Sequence, residues 1–244
     1  YRYGIFKKNY IIIDNHNNNT NNNFTLRMNY FGDYDNLEYA HIKGYYNLGE
    51  KNIHSLSLIG KENNVGITID MENSPYTTKT FEIYNNTLIN NEKMGTVIQA
   101  YLYRSMNDIK DLDNPKLNLR ICKGIYNESK NIAIQDRLAI NDNYFEMAKT
   151  LLKGKGYACL ATHDLTLIDS LESFIEKNNV SSDKFEFQVL YGVPMGNKLD
   201  KLKQKGYKIR IYVPFGEAWF EYSVRRLKEN PKIISYVLRN LFKK

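Results

Sequence analysis

GYACLATHDLTLIDSLESFIEKNNVSSDKFEFQVLYGV, residues 156–193, changes periodicity twice. Tyr157 to Ala161 is a short apolar run suited to a buried strand. Leu167, Ile168, Leu171, Phe174 and Ile175 then recur at helical spacing, and Phe185 to Tyr191 returns to an apolar, aromatic run. Strand, amphipathic helix and strand in succession form the repeating unit of a parallel sheet, because parallel neighbours need a crossover that a helix supplies.

The same alternation extends in both directions. Strand-like runs occur at Phe24 to Tyr30, Ile53 to Ile59, Val65 to Asp70, Thr96 to Leu102, Leu117 to Cys122, Tyr157 to Ala161, Phe185 to Tyr191 and Tyr207 to Val213. Ala148, Leu151 and Leu152 mark another amphipathic helix. Eight strands with helical crossovers in 244 residues favour a (β/α)8 TIM-type barrel over an open doubly wound sheet. One connection breaks the scheme. Only Gly60 to Asn64 separate Ile59 from Val65, whereas a parallel crossover takes about a dozen residues or more. The expected barrel is therefore irregular or incomplete around its second strand, whose crossover helix is missing. Asn15 to Asn23 is nearly all asparagine and cannot bury apolar surface. It divides the chain into a divergent N-terminal segment, 1–23, and a single barrel domain, 24–244.

Composition narrows the function classes. Hydrophobic residues make up 42% and aromatics 13%, enough for a sizeable core, and no apolar run approaches a membrane span. A net charge of +7 invites a nucleic-acid reading, but the lysines are spread over helix surfaces. A basic nucleic-acid-binding barrel would explain only the charge, so no nucleic-acid partner is expected. Cys122 and Cys159 lie in strand-like runs as small hydrophobes, and neither they nor the scattered histidines have metal spacing. No secretory leader pattern opens the sequence, and the expected location is the cytoplasm or the periphery of an inner membrane. A G-x-G-x-x-G fingerprint is also lacking, which disfavours a Rossmann-type nucleotide enzyme.

Barrels place their chemistry at the C-terminal strand ends. Those ends read IDMENS, IQAYLYR, LRICKGIYNE, ATHD, FEFQVLYGV and RIYVPFG, followed by YSVRRLKENP. In that order they resemble the strand-end motifs of the proline dehydrogenase family, over about residues 65–232.

The resemblance implies FAD-dependent oxidation of L-proline to 1-pyrroline-5-carboxylate in proline catabolism, with electrons passing to a quinone. It carries Arg225 and Arg226 as the grip on the substrate carboxylate, for which adjacent guanidinium forks are suited. Tyr126, Tyr212 and Tyr222 resemble the ring-enclosing tyrosines, and Tyr212 implies proline rather than hydroxyproline. Arg120, Asp70 and Tyr212 take the catalytic positions, Arg120 resembling the arginine beside the reactive flavin nitrogen, where a preorganised donor stabilises developing charge. Gln99, Gln188 and Glu229, with Cys122, Lys123, Gly124, Thr162 and His163, match cofactor positions; for His163 a helix-capping role stands beside flavin contact. Asp70 resembles an acidic residue normally paired with an arginine and a lysine, yet aligning IHSLSLIG with the family's second strand puts Ser55 at the lysine position. That mismatch, the missing crossover and the lack of the family's N-terminal helical arm support an alternative: a degenerate homologue that binds flavin or ligand without efficient turnover.

Overall fold

The computed structural model describes residues 46–213, with the backbone alone for 46–49. The chain divides into two compact units at Leu56/Ser57. Of the first, the described part is the opening of helix α1 (Tyr46–Glu62), which runs on into the second. The helix stops at Asn64, which takes φ 58°, a left-handed conformation that asparagine tolerates, while the Val65 N–H closes onto the Gly60 carbonyl at 2.7 Å.

Six strands follow: β1 (Ile67–Ile69), β2 (Met94–Gln99), β3 (Asn118–Cys122), β4 (Tyr157–Ala161), β5 (Phe185–Leu190) and β6 (Lys208–Tyr212). They pair in sequential order, all parallel. The connections carry α2 (Thr77–Leu88), α3 (Ser105–Leu112), α4 (Arg137–Lys153), α5 (Leu165–Lys177) and α6 (Lys198–Gln204). Sequential parallel strands alternating with helices give the strand order of a TIM-type barrel. Six of the eight expected strands are present within two residues or so of their expected starts; Phe24 to Tyr30 lies outside the described residues.

The remaining expectation is corrected. Ile53 to Ile59 is not a strand but the second half of α1. The alternating apolar pattern misled because its large side chains face outward: Leu56, Leu58 and Ile59 are 51%, 39% and 54% exposed, whereas Ser57 and Gly60 are buried. Small residues are what this helix needs on its inner side. A Cβ on Gly60 would lie 2.8 Å from Ile67 Cδ1, and the Ser57 carbonyl accepts a hydrogen bond from Asn91 Nδ2 at 2.8 Å. With a helix leading into β1, no crossover is missing between residues 59 and 65. Ser55 loses its strand register as well; it lies on α1, its hydroxyl donating to the Lys51 carbonyl at 3.0 Å.

Alternation within the strands decides what each face does. On one face Leu119, Ile121, Leu160, Phe185 and Phe187 are fully buried. Tyr144 and Met147 of α4 and Leu171 of α5 are equally buried, so this side of the sheet is the apolar layer beneath the helices. Caps start the helices where the strands end. Asp136 accepts from the Ala139 N–H at 2.8 Å and Asp164 from the Leu167 N–H at 3.2 Å, each worth about 1 kcal/mol.

Candidate active site

The opposite face of the sheet is polar. The register Gln99↔Cys122, Arg120↔Cys159, Cys159↔Glu186 and Gln188↔Arg210 brings these side chains to one side. Arg120, on β3, reaches across its neighbouring strand on each side. Its Nη1 donates to Asp70 Oδ1 at 2.7 Å from the end of β1, and its Nε donates to Gln188 Oε1 at 2.7 Å on β5. Three residues singled out from the sequence, 118 positions apart at the extremes, therefore form one hydrogen-bonded row. Gln99 joins at the rim, donating from Nε2 to the Glu72 carbonyl at 2.8 Å.

The loops after β1 and β3 are tied together above this row. Tyr126 donates its hydroxyl to Glu72 Oε2 at 2.7 Å. Glu128 accepts from both the N–H and the hydroxyl of Ser74, at 2.6 and 2.9 Å. Under the β3 loop lies Tyr101, buried against Leu102 and Ala133, with Tyr126 packed alongside. Its phenol is pushed up to about 12, by burial first and by the nearby Glu128 charge. Gly124 is required there: it takes φ +105°, and a Cβ would fall 2.2 Å from Tyr101 Cδ1. The carbonyls of Cys122 and Lys123 accept from the N–H groups of Ala100 and Tyr101, at 2.8 and 2.9 Å, so β2 and β3 stay zipped past their formal ends. Burial pushes the Cys122 thiol up to about 11.

At the end of β4, Thr162, His163 and Asp164 have separate tasks. Asp164 caps α5 and also accepts from Lys123 Nζ at 2.8 Å and Asn141 Nδ2 at 3.0 Å. Burial works to raise its carboxyl, but Lys123, the Leu167 N–H and Asn141 outweigh it and hold the group below the usual carboxylate range. The cap is thus Asp164 rather than His163. His163 Nε2 accepts from the Leu190 N–H at 2.8 Å, linking β4 to the end of β5. Burial, aided by the positive Lys123, pulls its imidazole below the ordinary histidine value, consistent with a neutral acceptor.

Tyr212 ends β6, where its carbonyl accepts from the Tyr191 N–H at 2.8 Å, and its side chain is partly exposed. Tyr222, Arg225, Arg226 and Glu229 lie outside the described residues, so the proposed substrate grip has no geometry to report. Sequence reasoning missed Glu186 and Arg210 as members of the polar row. Glu186 is 4% exposed, yet it accepts from Arg210 Nη2 at 2.9 Å and from Gln188 Nε2 at 2.6 Å. Burial would raise its carboxyl, but Arg210 and Gln188 overcome that and hold it low. A signal was present in FEFQ, where a carboxylate sits between two phenylalanines of a buried strand.

Comparison with known proteins identifies the lineage. The sequence profile described as Proline dehydrogenase matches residues 7–239. The chain belongs to the proline dehydrogenase family. Proline dehydrogenase 2 of Bacillus subtilis (strain 168) is 36% identical over 194 residues, covering 80% of this chain and 64% of that protein. Proline dehydrogenase of Deinococcus radiodurans is 35% identical over 199 residues, with coverage of 80% and 64%. The chain thus spans about 64% of the length of these two relatives.

Among solved structures, proline utilization A from Bdellovibrio bacteriovorus inactivated by N-propargylglycine superposes with a TM-score of 0.69 at 21% identity, covering 94% of this chain and 28% of that one. A Bradyrhizobium japonicum proline utilization A variant gives 0.66 at 22% identity, covering 78% and 22%. The likeness shows the fold, the TIM-type barrel to which the six-stranded sheet belongs. No described helix is long and apolar enough to cross a membrane.

Proposed function

We propose that this chain oxidises L-proline to 1-pyrroline-5-carboxylate with FAD as acceptor, the electrons then passing to a quinone, at the periphery of an inner membrane or in the cytoplasm. The observation that carries the reading is the Asp70–Arg120–Gln188 row across the strand ends of a proline dehydrogenase family member. The barrel domain assigned to residues 24–244 belongs to the same proposal.

The donor set suits the cofactor. Arg120 and Lys123 supply cationic donors, Gln99 and Gln188 amides, and Thr162 a hydroxyl, on or beside one face of the sheet, a combination fitted to a ring system that gains negative charge on reduction and to a diphosphate. The backbone of Cys122, Lys123 and Gly124, with Thr162, His163, Gln99, Gln188 and Glu229, would hold FAD, which supplies a two-electron acceptor for the hydride leaving the proline carbon next to nitrogen. Arg120 places a fixed positive charge where negative charge develops. Arg225 and Arg226 would bind the substrate carboxylate, and Tyr126, Tyr212 and Tyr222 would wall the ring. The alternative of a degenerate homologue loses two of its supports, since α1 removes both the missing crossover and the strand register of Ser55.

Visible absorbance tests the reading. The purified chain is expected to be yellow and to bleach with L-proline under anaerobic conditions; a colourless chain that takes up no added FAD would sink the proposal. Arg226→Ala should abolish reduction by proline while leaving bound flavin in place. Hydroxyproline should be oxidised more slowly than proline, and equal rates would overturn the role given to Tyr212.

A further inference from the structure

Glu186 carries a charge that the proposed chemistry does not use directly. It lies on the polar face of β5, almost wholly buried, and its carboxylate receives four side chains. Arg210 approaches with Nε and Nη2, Gln188 donates to Oε1 at 2.6 Å, the Tyr157 hydroxyl to Oε2 at 3.3 Å, and the Cys159 thiol to Oε1 at 3.7 Å. An ionised carboxylate accepts and never donates. The Gln188 amide must therefore turn its NH2 toward Glu186, which leaves its oxygen, and only its oxygen, for Arg120 Nε at 2.7 Å. The two amide ends have nearly the same shape, so their order depends on the partners: Arg120 asks for the oxygen, and Glu186 reinforces that choice by holding the NH2. The polarity of the row, Glu186 to Gln188 to Arg120 to Asp70, is set from both ends: the buried carboxylate only accepts and the Arg120 guanidinium only donates, and the two agree on one orientation of the Gln188 amide.

We infer that Glu186 is a positioning residue: it fixes the Gln188 amide so that Arg120 is held at Nε and Nη1 together, beneath the site proposed for the flavin. This rests on the proposed function for what Arg120 does, but not for how Arg120 is held. The guanidinium is thereby clamped at two of its three nitrogens, Nε and Nη1. A neutral amide in place of Glu186 could donate to Gln188 and let it flip, turning an NH2 onto the Arg120 Nε–H. Both would then be donors, and Arg120 would be tethered by Asp70 alone, whose side chain is largely exposed.

The test is Glu186→Gln, read in two ways. In the flavin-free chain labelled with 15N-arginine, the Arg120 Nε–H resonance, identified by its loss in Arg120→Lys, should exchange with solvent about tenfold faster or more, the size expected for losing a charge-assisted hydrogen bond. In the flavin-loaded chain, the rate constant for anaerobic reduction by proline should fall about tenfold or more, while the half-saturating proline concentration moves less than about twofold. In a Gln188→Leu background the same substitution should have little further effect on either readout, because the relay is already cut. A merely structural Glu186 would lower the melting temperature and leave exchange and rate constant as in the unaltered chain, and that result overturns the inference. If Glu186→Gln does not fold, the neutral pair Glu186→Gln with Arg210→Gln replaces it, with the same expectations. A chain that exchanges as expected but takes up no flavin sinks the proposed function and leaves the positioning intact.

Discussion

Gly124→Ala should be among the most damaging small substitutions in the molecule, and its cost can be built from two parts. The first is backbone. At φ +105° a residue with a Cβ is strained by about 1–3 kcal/mol. The second is steric. The new Cβ would sit 2.2, 2.4 and 2.6 Å from Cδ1, Cε1 and Cγ of Tyr101, along the body of the ring rather than at a flexible tip. The ring cannot simply yield, being packed with Leu102, Ala133, Tyr126 and Ile140, and overpacking of that kind costs about 1–3 kcal/mol. Together they give about 2–6 kcal/mol. At about 2–4 °C per kcal/mol for a chain of this size, melting should fall by about 10 °C. Gly206→Ala is the control. It shares a positive φ of +80° but has nothing within 4 Å of the added carbon, so only the backbone part, about 1–2 kcal/mol, applies. Urea denaturation of the two variants and of the Tyr101→Ala, Gly124→Ala pair separates the contributions; the double variant should be more stable than the summed single losses by about 1–3 kcal/mol. A Gly124→Ala chain within about 0.5 kcal/mol of the parent, or strictly additive variants, would refute the reasoning.

Asp164→Ala removes a helix cap and the partner of Lys123 together, and should cost about 1–2 kcal/mol in urea denaturation, with Asp164→Asn recovering much of it because asparagine also caps. Stability should also fall on the acid side in two stages. His163 titrates lower in the folded chain than its ordinary 6.5, so the unfolded chain binds its proton first; the stability it contributes is complete above about pH 6.5 and drains away as pH falls toward its folded value. Asp164 and Glu186, both held low, contribute stability that is present above their ordinary 3.8 and 4.5 and is lost as pH falls below those values toward the folded ones. His163→Gln, which keeps an acceptor for the Leu190 N–H, should flatten the first stage in a series of urea midpoints from pH 8 to pH 5 and leave the second unchanged. An unaltered slope would remove His163 as its source.

How much of this was legible beforehand follows the range of the interactions. Strands β2 to β6 could be read because each is bounded within its own few residues by a helical period or a turn, and parallel pairing then required the crossovers to be helices. The residues at those strand ends were legible for a related reason: a barrel brings the C-terminal ends of its strands to one rim, so Asp70, Arg120 and Gln188 had to share a neighbourhood before any coordinate was known. Family resemblance added roles for them and for Tyr222, Arg225, Arg226 and Glu229, which lie outside the described residues.

The failures have a common origin in packing between segments distant in sequence. IHSLSLI carries the alternation of a strand, and only its neighbours show otherwise: Ile67 and the Val65 carbonyl crowd the space beside Gly60, and Asn91 reaches the Ser57 carbonyl, so the small residues point inward and the large ones outward on a helix. Glu186 is the same lesson in polar form. Alone, FEFQ is a strand with one incongruous charge. Its meaning depends on Cys159 and Tyr157 one strand away on one side, Arg210 one strand away on the other, and Arg120 two strands off, none of which its own segment specifies. Local periodicity and turn chemistry act over a few residues and are written along the chain. The direction of an amide, the side of a helix that meets a sheet and the charge that steadies Arg120 depend on partners brought together by folding, and only the tertiary structure decided them.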